Sequence, residues 1–390
     1  LNYIKGSQMT DSEAVVIRPR IHSAEKRPLE ELVPLKTPIS AHVDISSLCN
    51  YRCSFCFQAD TQGMKEVGLN RGFMEFSMFK KIVDEFNEFP EKIKKIKIGN
   101  HGEPTLHPEV VKMVDYASKS GSADIVEMFT NGSKLNPELN EGLVKSGLQR
   151  INISLEGLSD ERYLAVAGTK QVFQEIIDGV KSLYEIKTRE KSELQIYVKI
   201  ADQAHALKGD KDIKFILSKD ERKYFFDTFT PICDEIFIEK VVPQWADTQL
   251  DKQNEVTDTG MYGQKITSWK DSCPFIFMYL HFNCDGTVSP CTLDWPRKVV
   301  IGDVNKESVL EIWNGDALRE LQVAMLAGQR KCVDLCSTCS APMVCVEEDL
   351  DSHVDEVITA IGGEKDLKNI NKNRWIQPKK EDVTPIKIHR

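Results

Sequence analysis

The chain has 390 residues, 41% hydrophobic and 28% charged, with a formal net charge of −9. That length suits one large domain plus a smaller one, and the composition is ordinary for a soluble globular protein. The acidic balance argues against a general nucleic-acid binder, and apolar runs such as residues 276–280 are far too short to cross a bilayer.

Residues 1–40 read as an N-terminal extension, in which Leu1 to Gln8 are expected to be vector-derived and Met9 the natural start. No apolar segment lies near the N-terminus, so no secretory signal is expected. The eleven cysteines are an odd number, which fits a disulfide framework poorly. They gather at 49–56 and 273–345 with only Cys233 between, a pattern that points to metal ligation in a reducing cytoplasm.

From 41 to 242, short β-rich runs alternate with longer helical patterns. Strands are predicted at 41–46, 95–99, 125–130, 150–155, 194–200 and 235–241, and helices at 77–88, 108–119, 137–146, 172–187 and 219–228. Ser77 and Asn136 are predicted N-caps, Pro137 takes the first helical position, and Gly121 and Gly147 sit where helices stop. Strands alternating with helices read as a parallel α/β sheet. Residues 243–272 are polar and read as a linker, and a cysteine-rich region follows at 273–349. Asp285–Gly286 predicts a tight primed hairpin turn that carries Cys291 on its returning strand. A helix around 309–326 would bring back the Cys336-x2-Cys339 pair, and 350–390 reads as a C-terminal helix and charged tail.

The most specific pattern is Cys49-x3-Cys53-x2-Cys56, just beyond the first predicted strand. Three thiolates can hold three irons of a [4Fe–4S] cube and leave the fourth open, as a catalytic metal keeps a position free. A zinc site or three buried core thiols is the plainer alternative. With the aromatic Phe55 before its last cysteine, the pattern resembles the signature of radical S-adenosylmethionine (SAM) enzymes. The resemblance implies a partial (β/α)6 barrel of parallel strands and SAM chelating the open iron. It also implies one-electron cleavage of SAM to a 5′-deoxyadenosyl radical that abstracts hydrogen.

Further strand ends extend the likeness. Gly99-Asn-His101-Gly102-Glu103-Pro104 resembles the family's GGEP motif, with His101 in place of its first glycine. Thr130-Asn131-Gly132 is similar to its TNG turn, and Ser154-Leu-Glu156-Gly157 to its S-x-D/E-G strand end. The resemblance implies cofactor-binding roles for Phe55, Gly102, Glu103, Pro104, Thr130, Asn131, Ser154 and Glu156. Without it, Gly-Glu-Pro is an ordinary turn and Glu156 a solvated or capping carboxylate. Lys199, near the fifth strand end, is a candidate for the same pocket or a surface residue.

The cysteine-rich region resembles the SPASM and shortened twitch extensions of the same family. Cys273-x12-Gly286-x4-Cys291 and Cys336-x2-Cys339-x5-Cys345 fit the SPASM pattern, but Asp349 stands where a further cysteine belongs and none follows Cys345. The twitch reading makes Cys273, Cys291, Cys336 and Cys339 the ligands of one auxiliary [4Fe–4S] cluster. Cys332, Cys345 and Asp349 are further candidates for a second one. A zinc knuckle of Cys332, Cys336, Cys339 and Cys345 is the plainer alternative, and Cys233 and Cys284 read as buried thiols.

The expectation is therefore a cytoplasmic radical SAM oxidoreductase, similar to 2-deoxy-scyllo-inosamine dehydrogenase-type enzymes. It would oxidise or epimerise a carbohydrate or aminocyclitol-type small molecule and draw electrons from a partner such as flavodoxin or ferredoxin. Neither nucleic acid nor membrane is expected as a partner. A SPASM-type peptide maturase and a non-catalytic iron–sulfur or zinc protein are the alternatives.

Overall fold

The computed structural model describes residues 15–20, 27–207, 213–245, 248, 259–266 and 269–377. The expected natural start at Met9, part of the 243–272 linker and the end of the charged tail lie outside the described residues.

Among these, the strands in chain order are β1 (Val16–Ile17), β2 (Ser40–Val43), β3 (Ile93–Ile98), β4 (Ala123–Thr130), β5 (Arg150–Leu155), β6 (Gln195–Ala201), β7 (Gln203–His205), β8 (Lys214–Ile216), β9 (Glu235–Glu239), β10 (Tyr279–Phe282), β11 (Thr287–Ser289) and β12 (Gly302–Asp303). One sheet runs β1-β9-β6-β5-β4-β3-β2-β10-β11-β12, and β7 pairs with β8 apart from it. Every pairing from β1 to β10 is parallel, and β10, β11 and β12 form an antiparallel meander. The six predicted strands are β2 to β6 and β9, arranged as a partial barrel. Two edges were not foreseen: β1 beside β9, and β10 beside β2. The hairpin of the C-terminal cysteine region thus continues the barrel sheet.

Period-two alternation divides the sheet into two faces. Ala41, Val43, Ile96, Ile98, Val126, Met128, Ile151, Ile153, Ile196, Val198 and Ile236 form one, fully buried in the main core. Helices α2 (Phe76–Glu85), α3 (Val110–Lys119), α4 (Pro137–Lys145), α5 (Asp160–Ala167), α6 (Phe173–Arg189) and α7 (Lys219–Phe229) cover it, whereas α1 (Thr61–Glu66) buries Met64 in a second core with Phe57 and Trp245. In α3, Val110, Met113, Val114 and Ala117 recur at the spacing of one helical face and are all buried. Each large one contributes about 1.5–3 kcal/mol. The opposite face carries His42, Lys97, Glu127, Arg150, Asn152, Tyr197, Lys199, Glu235 and Glu239, cross-linked by ion pairs such as Arg150–Glu235 at 2.7 Å. No helix among the described residues is long and apolar enough to cross a membrane.

Asn136 caps α4 as expected, its side chain accepting from Glu138 and Leu139 N–H groups at 3.1 Å, and Gly121 and Gly147 take positive φ of 71° and 77°. Elsewhere the expectations need correction. Helix α2 starts one residue before Ser77, with Glu75 as N-cap and no side-chain cap bond. The sequence reading missed α5 although Ser159 caps it and Gly168 ends it at φ 69°. The hairpin loop is longer than a two-residue turn: Gly286 N–H donates to the Asn283 carbonyl and φ at Gly286 is 91°. This matches a type I turn followed by a left-handed glycine. The expected 309–326 helix is two, α8 (Val309–Trp313) and α9 (Asp316–Leu326), broken at Gly315.

Candidate iron–sulfur and cofactor site

Parallel α/β folds gather ligands beyond the carboxyl ends of their strands. The loop after β2 bears Cys49, Cys53 and Cys56, which interact with one another: Cys49 and Cys56 both act on Cys53. Main-chain bonds from Arg52 to Ala167 and from Ser54 to Val166, both 2.9 Å, tie this loop to α5. Burial pushes the Cys49 and Cys56 thiols up to about 12, with the Glu156 carboxylate adding to both, and raises the Cys53 thiol well above its usual range. Such thiols keep their protons in the free chain, and a multivalent metal centre displaces them as it binds. Three sulfur donors suit iron–sulfur chemistry better than a hard cation.

The loop after β3 lies directly on the cysteine loop. Glu103 N–H donates to the Leu48 carbonyl at 2.8 Å. A Cβ at Gly102 would stand 2.3 Å from the Ser46 carbonyl oxygen, so only glycine permits this approach. Pro104 is buried and opens a short 3-10 turn. The Glu103 carboxylate, 2% exposed, accepts from Thr105 N–H (3.0 Å), Thr105 hydroxyl (2.6 Å), Thr130 hydroxyl (2.8 Å) and Asn131 N–H (2.7 Å). Burial raises its proton affinity and these donors oppose that rise. Asn131 also reaches towards Cys49, its Nδ2 lying 3.9 Å from Sγ. The GEP and TNG strand ends are therefore one hydrogen-bonded unit.

At the end of β5, Glu156 is buried beside Cys53, and its Oε2 has no hydrogen-bond partner. Burial moves its carboxyl up to about 7, with Lys199 opposing. Ser154 pairs across the sheet with Lys199, whose ammonium bonds Glu239 on the inner face. Phe55 is half-buried and packs on the main core.

The C-terminal region assembles a second thiol set. Cys273, Cys291, Cys336 and Cys339 line one cavity with Ile276, Leu293 and Leu335. All four interact electrostatically, and burial raises the Cys291 and Cys336 thiols well above the usual range. Four thiols from two distant segments match the complement of a [4Fe–4S] cube. Arg330, fully buried, closes the cavity: its guanidinium stacks 4.1 Å from the Trp269 ring centroid and donates to the Lys270 and Cys339 carbonyls. Cys332 and Cys345 do not line this cavity; Cys332 bonds Gln329 at 3.6 Å and Cys345 neighbours Tyr262. Asp349 is exposed and accepts from Asp351 and Ser352. Of the four cysteines of the zinc-knuckle alternative, Cys336 and Cys339 line this cavity. Cys233 and Cys284 are buried thiols, as expected.

Sequence reasoning gave no role to the residues that join the two sets. Gln58 donates to the Ser47 carbonyl at 3.2 Å and to the His101 carbonyl at 2.5 Å. Phe57 stacks on Trp295 at 5.3 Å and 16°. Asp44, His101 and His281 form a buried cluster between the sets. A histidine at a glycine position of a motif was the available signal; Asp44 and His281 gave none.

Comparison with known proteins adds two domain assignments. The radical SAM superfamily model matches residues 43–199, and the SPASM iron-sulfur cluster-binding domain model matches residues 273–340. These domains imply a SAM-binding [4Fe–4S] cluster and auxiliary cluster binding. The chain is 32% identical over 127 residues to a tungsten-containing aldehyde ferredoxin oxidoreductase cofactor-modifying protein of Pyrococcus furiosus, 33% of this chain and 33% of that protein. The match thus spans a third of that relative. Among solved structures, BtrN in complex with AdoMet and 2-DOIA is similar at 16% identity, over 80% of this chain and 96% of that one, with a TM-score of 0.47. Streptococcus suis SuiB bound to precursor peptide SuiA is similar at 15% identity, over 74% of this chain and 67% of that one, with a TM-score of 0.47.

Proposed function

We infer that this chain, which belongs to the radical SAM superfamily and carries a SPASM iron–sulfur domain, abstracts hydrogen from a carbohydrate or aminocyclitol-type substrate and oxidises or epimerises that carbon. The observation that carries the reading is the pairing of a three-thiol loop beside buried carboxylates with a separate four-thiol cavity.

Cys49, Cys53 and Cys56 would hold the cluster that binds SAM, and Cys273, Cys291, Cys336 and Cys339 an auxiliary cluster. When bound, these groups would supply one-electron chemistry: reductive cleavage of SAM for hydrogen-atom abstraction at the three-thiol site and, for net oxidation, an electron acceptor at the four-thiol site. Glu103, held in one orientation by Thr105, Thr130 and Asn131, accepts the SAM ammonium. Ser154 and Glu156, whose Oε2 is unpaired, would contact the ribose and carboxylate of SAM, and Phe55, Gly102 and Pro104 would shape the wall. Lys199 and Glu239 supply hydrogen bonds on the substrate side. An inner barrel face rich in amide, hydroxyl and charged groups favours a small substrate bearing hydroxyls or amines. In this reading Cys332, Cys345 and Asp349 hold no cluster. The protein works in the cytoplasm with a flavodoxin or ferredoxin as electron donor.

The test is anaerobic reconstitution with iron and sulfide, then SAM and dithionite. Formation of 5′-deoxyadenosine that disappears in Cys53→Ala supports the chemistry, and its absence from the wild-type protein sinks it. Carbon-deuterated aminocyclitols and peptides then compete as substrates. Deuterium passing from an aminocyclitol into 5′-deoxyadenosine supports the substrate class, whereas transfer from peptide alone replaces it with peptide maturation.

A further inference from the structure

The departure of His101 from the glycine of its motif has a structural counterpart. Asp44 Oδ2, at the end of β2, lies 3.1 Å from His101 Nδ1 and 2.7 Å from His281 Nε2 on β10. All three residues are buried, at 1%, 6% and 0% exposure, and their ligand atoms lie within 4.8 Å of one another. The two imidazoles meet edge to face at 4.3 Å.

The hydrogen bonds around this cluster limit where protons can sit. His101 Nε2 faces the Thr292 carbonyl at 2.5 Å, so that nitrogen carries the hydrogen. In the neutral ring Nδ1 is then a lone pair, and it points at a carboxylate oxygen. The His281 Nε2 is turned to the same Asp44 oxygen, and its buried Nδ1 has no hydrogen-bond partner. The other oxygen of Asp44 already accepts the His101 backbone N–H at 3.1 Å. The His101 Nδ1 lone pair and the Asp44 carboxylate oxygen repel in this dry site unless a proton or a metal ion lies between them. An imidazole with its outer N–H on a backbone carbonyl and its inner nitrogen facing a carboxylate is also the usual posture of a metal-ligating histidine.

We propose that Asp44, His101 and His281 bind a divalent first-row transition ion through one carboxylate oxygen and two neutral imidazoles. Two nitrogens and an oxygen suit zinc in particular, with bonds of about 2.0–2.2 Å. Tetrahedral bonds of that length separate donor atoms by about 3.4 Å, so His101 need move from Asp44 by about 0.3 Å and His281 by about 0.7 Å. The ion would staple the ends of β2 and β10 to the loop that carries Gly102 and Glu103. It is distinct from both thiol sets, shares no ligand with them, and stands whether or not the substrate reading holds.

The test uses the reconstituted full chain with its iron–sulfur centres, supplied with zinc and then dialysed. Elemental analysis is expected to find about one zinc ion per chain beyond the iron, retained in Cys336→Ala and lost in His281→Ala and Asp44→Asn. Zinc-edge X-ray absorption of the wild-type protein is expected to show only nitrogen and oxygen at about 2.0 Å, whereas zinc on stray thiols would show sulfur at about 2.3 Å. The absorption experiment needs no variant, so a misfolded mutant cannot obscure the answer. A wild-type protein that keeps no zinc, or zinc with sulfur in its shell, overturns the proposal and leaves the cluster as a protonated histidine–aspartate network.

Discussion

Gly102→Ala tests whether the loop after β3 must sit on the cysteine loop. The added Cβ would fall 2.3 Å from the Ser46 carbonyl oxygen and 2.7 Å from that of Leu48, both backbone atoms that no side-chain rotation can move. A carbon–oxygen contact is ordinarily about 3.3 Å or more, so one loop must retreat by about 1 Å. Overpacking of this kind costs about 1–3 kcal/mol. The larger effect is on geometry, because Glu103 follows directly and a misplacement of about 1 Å costs about a hundredfold in rate. The assay is anaerobic 5′-deoxyadenosine formation from SAM and dithionite, with iron content measured on the same sample. Gly72→Ala is the control, since a Cβ there meets nothing within 4 Å. Gly102→Ala with wild-type iron and a rate within threefold of the control would refute the reasoning.

Glu103→Gln places an amide NH2 against N–H and hydroxyl donors and removes the negative charge; SAM binding by equilibrium dialysis should weaken at least about tenfold, and an unchanged Kd counts against the assignment. Cys336→Ala should lower iron from about eight to about four per chain while the three-thiol site keeps its share; loss of all the iron would contradict two separate sets. Arg330→Leu strands the Lys270 and Cys339 carbonyls and removes a positive charge beside the four thiols. The auxiliary centre should become harder to reduce in an EPR-monitored titration, and a potential that stays put or rises disproves the charge argument. Cys49 and Cys56 are raised to about 12, so the folded free chain favours neutral thiols; their stabilising contribution is full below pH 9 and is lost as pH rises through about 12. Cluster loading, which needs thiolates, should accelerate with pH by up to about tenfold per unit between pH 7 and 9, and a flat profile would show that deprotonation does not limit it.

Much of the barrel was legible because its strands are buried on the helix-covered face and announce themselves as β-branched runs: residues 150–155 were predicted to the residue. The cofactor strand ends were legible because Glu103, Thr130 and Glu156 follow strands in order. What escaped was contact between segments far apart in the chain. Tyr279–Phe282 reads as part of a cysteine-rich region, and nothing local says that it pairs with Ser40–Val43. For the same reason Asp44 and His281 looked like ordinary strand residues until the sheet set them side by side. Arg330 is basic in a charged stretch, and its burial follows only from Trp269 and two carbonyls brought from elsewhere.

The continuity of the sheet from β2 to β10 has a consequence for how the two thiol sets relate. Parallel pairing points the carboxyl ends of β2, β3 and β10 to the same rim. The cysteine loop leaves β2 there, the Gly102–Glu103 loop leaves β3 there, and the hairpin from β10 returns Cys291 to its neighbourhood. Buried polar bonds then fix the three to one another: Gln58 spans the first two, and His101 joins the second to Thr292, next to Cys291. A glycine at 101 would leave the Thr292 carbonyl without this donor, a loss costing about 1–3 kcal/mol in a dry interior, and would leave Asp44 with one imidazole instead of two. The histidine therefore belongs with the strand β10 that faces it, and the motif departs from its usual glycine where the added C-terminal strand supplies it with partners.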